Sequence, residues 1–140
     1  MNNICVSVAS SDTIGPYKIP QRGQNYINSF YANKNNLIIK SIISNGVYGE
    51  NLNKLYFMIK KNRTQIIFTS YYQLLHGNKK KFIKKLGKEI IHFALEGIVT
   101  KNIKELEKVF KEVDLFLKLK YIKTNKFNKY IELYKKFNII

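Results

Sequence analysis

The run Glu89-Ile90-Ile91-His92-Phe93-Ala94-Leu95-Glu96-Gly97 places an imidazole inside an apolar stretch and a carboxylate at its end. Read as a β-strand with side chains alternating at period two, it puts His92, Ala94 and Glu96 on one face and Ile91, Phe93 and Leu95 on the other. An imidazole and a carboxylate so disposed can serve as catalytic acid and base. Each also has a plainer reading. His92 can be a core histidine bonded to a backbone carbonyl or a tyrosine, and Glu96 can cap a turn or pair with a lysine. A second group of candidates is Ser10, Ser11 and Asp12, and a third is Ser70, Tyr71 and Tyr72. Hydroxyls offer nucleophiles or hydrogen bonds, and tyrosine rings offer a stacking surface for a sugar or base.

These groups matter only if the chain brings them together. Ile4 to Ala9 reads as a first strand, followed by a loop from Ser10 to Pro16. Pro20 suits the first turn of a helix whose apolar face is Ile27, Phe30 and Tyr31, ending near Asn33 to Asn36. Leu37 to Ile43 reads as a second strand, closed by Ser44-Asn45-Gly46. Leu52, Leu55, Tyr56 and Ile59 have the spacing of an amphipathic helix before Arg63 and a third strand, Gln65 to Thr69. A lysine-rich helix around Phe82, Ile83 and Leu86 stops at Gly87, and the His92 stretch is then the fourth strand. Asn102 with Glu105 starts a long helix in capping-box fashion, running toward Tyr121. After Thr124-Asn125 a last helix aligns Phe127, Tyr130, Ile131, Tyr134 and Phe137.

Strands that are continuously apolar and alternate with helices predict an α/β fold. The expected form is a single three-layer domain over residues 1–123, with a mostly parallel four-stranded sheet and helices on both faces. Residues 124–140 add a C-terminal amphipathic helix that packs on the domain or joins copies into a homo-oligomer. In such sheets ligands bind beyond the carboxyl ends of the strands, where strand order reverses. All the polar clusters above, with Ser44, Asn45 and Gly46, fall at strand exits. Pro20 opening a helix leaves free N–H groups at its positive end, and Gln21, Arg22 and Gln24 can add donors for a phosphorylated ligand.

Composition removes several function classes. Neither a G-x-G-x-x-G nor a G-x-x-x-x-G-K-[ST] run is present, so no standard dinucleotide or P-loop site is expected. His76, His92 and Cys5 are too few for a structural zinc site, and neither metal nor cofactor is expected. Cys5 reads as a small buried strand residue in a reducing, cytoplasmic setting. No apolar run approaches the roughly 20 residues of a membrane span. A formal charge of +16 points to polyanions such as nucleic acid. Against that, the excess is lysine, with arginine only at Arg22 and Arg63, and lysine with abundant Asn and Ile is what the codon bias of an AT-rich genome gives. Serine recombinases of the resolvase type keep their nucleophile after the first strand, as Ser10 or Ser11 would be. Their phosphoryl chemistry needs an arginine cluster that is missing here.

Three runs carry a closer likeness: Tyr17-Lys18-Ile19-Pro20-Gln21 leading to Gln24-Asn25, Ser70-Tyr71-Tyr72-Gln73-Leu74-Leu75, and His92-Phe93-Ala94-Leu95-Glu96-Gly97. With them the chain resembles the sporadic carbohydrate cluster family, small bacterial proteins of resolvase-like fold encoded among surface polysaccharide genes. The chain departs from that pattern at Ser11-Asp12-Thr13, where an arginine is expected, and beyond Lys123. The resemblance implies a setting, capsule or lipopolysaccharide assembly, rather than a defined reaction; with the strand-end clusters and the positive helix end it leads to a sugar phosphate or nucleotide sugar as the expected ligand. On that reading the candidate groups are Glu96 and His92 for catalysis, and Ser10, Ser11, Tyr17, Gln21, Arg22, Gln24, Ser70 and Tyr71 for binding. A resolvase-like nucleic-acid-binding domain and a non-catalytic assembly protein are the alternatives.

Overall fold

The computed structural model describes residues 3–44, 50–62, 64–75 and 77–122. Asn45, Gly46, Arg63, His76 and the expected C-terminal helix lie outside them. The main sheet has the order β4-β1-β5-β6-β7. Its strands are β1 (Ile4–Val8), β4 (Ile38–Ile43), β5 (Gln65–Phe68), β6 (Ile91–Phe93) and β7 (Ile98–Thr100). β1 pairs in parallel with β4 and β5, β5 with β6 in parallel, and β7 returns antiparallel along β6. The class and the mostly parallel sheet expected from the sequence hold, with five strands in place of four.

The fifth strand corrects the reading of the His92 stretch. That run is a three-residue strand followed by a turn over residues 94–97 that leads into β7, and Gly97 takes φ 65° to complete the reversal. Glu96 therefore leaves the sheet at the turn, and the strand face it was expected to share with His92 does not exist. A second difference lies in the expected Ser10–Pro16 loop. Thr13–Ile14 (β2) and Tyr17–Lys18 (β3) form a small antiparallel ribbon, closed at its base where Ile19 N–H donates to the Asp12 carbonyl at 2.7 Å.

Helix α1 (Gln21–Lys34) begins after Pro20, as proline's fixed φ favours. Helices α2 (Glu50–Asn62), α3 (Lys79–Leu86) and α4 (Ile103–Ile122) follow. Period two decides what each sheet face buries. Val6, Val8, Ile66, Phe68, Ile91 and Phe93 pack with Leu52, Leu55 and Ile59 of α2, Phe82 and Leu86 of α3, and Leu106, Val109 and Phe110 of α4. Cys5 and Ile67 pack instead with Ala32 and Tyr31 of α1. The Cys5 thiol is fully buried, and burial pushes its pKa up to about 11, which leaves it without thiolate reactivity. From β1 the chain crosses outward through α1 to β4, then back through α2 to β5. Strand order therefore reverses between β1 and β5, and their neighbouring exits mark the switch point.

Candidate ligand cleft at the switch point

β1 ends at Val8 and β5 at Phe68, aligned as register partners, so Ser10 and Ser70 follow from adjacent exits. The face α1 turns toward these exits is polar. Gln24 and Asn28, one turn apart, are fully buried. Gln24 Oε1 accepts from Ser10 N–H at 2.9 Å, while its Nε2 donates to the carbonyls of Ser11 and Ile19, each at 2.9 Å, and to that of Ser10 at 3.3 Å. One amide thus staples both ends of the β2–β3 ribbon to the helix. Asn28 Nδ2 donates to Ser7 Oγ at 2.9 Å, and Thr69 Oγ1 donates to Asn28 Oδ1 at 2.8 Å. Buried amides satisfied in this way rigidify what they hold, since leaving any of them unpaired would cost about 1–3 kcal/mol.

On the other exit, Ser70 opens a 3₁₀ turn over Tyr71–Leu74 with a full capping box. Ser70 Oγ accepts from Tyr72 N–H at 3.2 Å, and Ser70 N–H donates to Gln73 Oε1 at 3.0 Å. Gln73 then reaches across the switch point, its Nε2 donating to the Val8 carbonyl at 3.1 Å and to Ser10 Oγ at 2.9 Å. Ser10 Oγ is thereby an acceptor toward Gln73, and among the described residues nothing accepts its own proton. Ser10 is 7% exposed and lines a cleft of about 110 Å³. The cleft is bounded by Ser11, the ribbon tip at Gly15, Tyr72 and Gln73 of the 3₁₀ turn, and Phe116 of α4.

Aromatic rings build the wall. Tyr72 meets Phe116 edge-on with centroids 4.8 Å apart, Tyr71 at 4.8 Å and Tyr17 at 5.9 Å. Gly15, at φ 60°, lies so close to Tyr72 that a Cβ there would sit 2.5 Å from the ring's Cγ. The ribbon tip can dock on the ring only because that position lacks a side chain. Beside this wall sits Glu96, half-buried. Its Oε2 accepts from Ser70 O–H at 2.9 Å and its Oε1 from Tyr71 N–H at 2.7 Å. Burial raises the Glu96 pKa above the ordinary carboxyl value, an effect the Tyr71 and Ser70 hydrogen bonds partly offset. Burial first, then neighbouring Tyr72 and Glu96, push the Tyr71 phenol up to about 12; Tyr17 is raised by burial, Glu96 and Tyr72.

His92 is elsewhere. It points to the α1 side of the sheet, where Tyr31 O–H donates to its Nδ1 at 2.7 Å and its Nε2–H donates to Gln65 Oε1 at 2.6 Å. An amide oxygen can only accept, so Nε2 carries a proton, and in the neutral ring that burial favours Nδ1 is left to accept from Tyr31. Burial, with Lys101 adding to it, lowers the His92 pKa. The ring is a bonded core imidazole, apart from the cleft.

Of the residues singled out in the sequence, Ser10 and Ser11 line the cleft, and Tyr17, Ser70, Tyr71 and Glu96 form the framework against it. Gln24 is committed to backbone and acts as a positioning residue. Gln21 and Arg22, in the first turn of α1, are not among the cleft residues. Ser70 is fully buried and donates to Glu96, so it is no open nucleophile, and among the described residues no base is hydrogen-bonded to the Ser10 hydroxyl. Glu96 is the titratable carboxyl beside the aromatic wall. Gln73 and Phe116 were missed in the sequence. The Ser-x-x-Gln spacing of a capping box was the available signal for Gln73; Phe116 arrives from a distant helix and leaves none. Compared with family models, curated proteins and solved structures, the chain has no match.

Proposed function

We propose that this is a cytoplasmic protein of surface carbohydrate biosynthesis that binds, or acts on, a sugar phosphate or nucleotide sugar at the switch point. The observation that carries the reading is the Ser10 hydroxyl, held by Gln73 with its proton unspent, on the floor of a cleft with aromatic walls. Hydroxyl donors beneath apolar ring faces match the alternating O–H and C–H surfaces of a sugar. The cleft of about 110 Å³ is small beside the roughly 300–1,000 Å³ of ordinary ligand pockets, so a compact polar group enters and the rest of a nucleotide sugar stays outside. Glu96, with its raised pKa, would be the acid or base if a reaction occurs.

The test is thermal denaturation with a panel of sugar phosphates and nucleotide sugars. A ligand at roughly 100 times its Kd adds about 2.7 kcal/mol, which for a domain of this size raises Tm on the order of 8 °C. Ser10→Ala should abolish the rise and, by taking one acceptor from the buried Gln73 amide, lower the ligand-free Tm by about 3 °C. A panel with no rise for any member would refute the reading.

A further inference from the structure

The chain's positive charge is not spread evenly over its helices. α2 and α3 together carry eight lysines, Lys54, Lys60, Lys61, Lys79, Lys80, Lys81, Lys84 and Lys85, against one acid, Glu50. α4, longer than either, sets five lysines against four acids and is close to neutral. Codon bias explains many lysines but not their separation from carboxylates. Lys79 pairs with Asp114 of α4, yet Lys80, Lys81 and Lys84 are exposed without a carboxylate partner among the described residues.

The two helices present one surface. Lys85 Nζ donates to Asn53 Oδ1 across them, and Lys60 of α2 and Lys85 of α3 both stand 5.4 Å from the centroid of the Tyr56 ring. Two ammonium groups drawn to one ring concentrate positive charge where the helices meet, and that field favours an anionic surface. Next to Tyr56 is Phe57, 70% exposed, a phenyl ring held in water among lysines. Lysine is a hydrated point charge suited to a diffuse anionic surface, whereas bidentate phosphate and base reading calls for arginine. An exposed phenyl ring has use for an acyl boundary beneath those charges.

We propose that the α2–α3 face docks on an anionic phospholipid bilayer, its lysines on the headgroups and Phe57 in the interface. No described helix is long and apolar enough to cross a membrane, so the attachment is peripheral and reversible by salt. The proposal stands apart from the ligand cleft, whose residues it does not use.

Sedimentation of the full chain with vesicles tests it. The chain should pellet with phosphatidylcholine vesicles containing about 30% phosphatidylglycerol, not with phosphatidylcholine alone, and should be released between about 0.05 and 0.5 M salt. Lys80→Glu with Lys81→Glu and Lys84→Glu should weaken partitioning by on the order of a hundredfold or more. Phe57→Ser should weaken it several-fold at constant salt. Lys104→Glu with Lys108→Glu on α4, equal in kind but off the face, should change it far less, and the circular dichroism of each variant should match the parent. The proposal is overturned by any of four results: no pelleting with anionic vesicles, equal pelleting with neutral ones, equal losses for the α3 and α4 variants, or tighter retention on a single-stranded oligonucleotide than on anionic vesicles.

Discussion

Two polar knots sit four residues apart in sequence and differ in what surrounds them. His92 lies under α1, with both ring nitrogens spent on Tyr31 and Gln65, and is 8% exposed. Glu96 sits at the strand exits, equally spent on Ser70 and Tyr71, but half-buried beside the cleft that Ser10 lines. Hydrogen bonding alone does not tell a structural polar group from a functional one, since both are satisfied. Position relative to the sheet's carboxyl ends does, together with the sense of charge: burial keeps His92 neutral by lowering its pKa, and favours protonated Glu96 by raising its own.

The sharpest way to break this contrast is His92→Ala. It takes away the partner of the Tyr31 hydroxyl and one partner of Gln65, opens a cavity, and should cost about 3 kcal/mol in denaturant unfolding. Any ligand shift at the cleft should survive in whatever fraction folds. A cost under about 1 kcal/mol would show the His92 knot to be slack.

Gly15→Ala comes next. Its new Cβ would meet the Tyr72 ring at 2.5 Å on a backbone already at positive φ, for about 2 kcal/mol and a displaced cleft wall. Gly97→Ala shares the positive φ but meets nothing within 4 Å, so it should cost about 1 kcal/mol and leave the cleft intact. Equal effects of the two on ligand binding would remove Tyr72 from the wall.

Glu96→Gln should cost no more than Gly97→Ala, about 1 kcal/mol, because an amide can keep the Tyr71 contact while losing charge. Its signature is in pH. Glu96 has a raised folded pKa, so its contribution to stability declines as pH rises from 4.5 through the raised value. His92 has a lowered one, so its contribution declines as pH falls from 6.5 through the lowered value. Acid therefore works on the two knots in opposite directions. Unfolding free energies measured between about pH 4.5 and 6.5 should fall more steeply on acidification in Glu96→Gln than in the parent, and less steeply in a His92 variant that still folds. Parallel curves would mean that neither group titrates differently on folding.

How much of this was legible in the sequence depended on length of pattern. Helix starts at Pro20 and at Asn102 with Glu105 were readable because proline's φ and capping geometry are local, and Asn102 does accept from Glu105 N–H at 2.9 Å. Glu89–Gly97 reads as a single strand in the sequence because Ile91–Phe93 and the returning Ile98–Thr100 are three residues each, too short for period two to show a reversal. Gly97 is the clue, since its positive φ makes a turn. The β2–β3 ribbon, two residues a side, gave no period at all. The switch point was foreseen as a place, through the alternation of strands and helices. What Gln24 and Gln73 do there was not, since an amide's partners across 14 and 63 residues are set by tertiary packing.

On the proposed function, ligand enters beside Ser10. Backbone amide chemical shifts of the isotope-labelled chain, followed as the tightest-binding sugar phosphate or nucleotide sugar is added, test this entry most directly. Saturable shifts are expected at Ser10, Ser11, Tyr72 and Gln73, with Tyr31 and His92 unmoved. Shifts centred on Tyr31 and His92, or none at the four cleft amides, would contradict it.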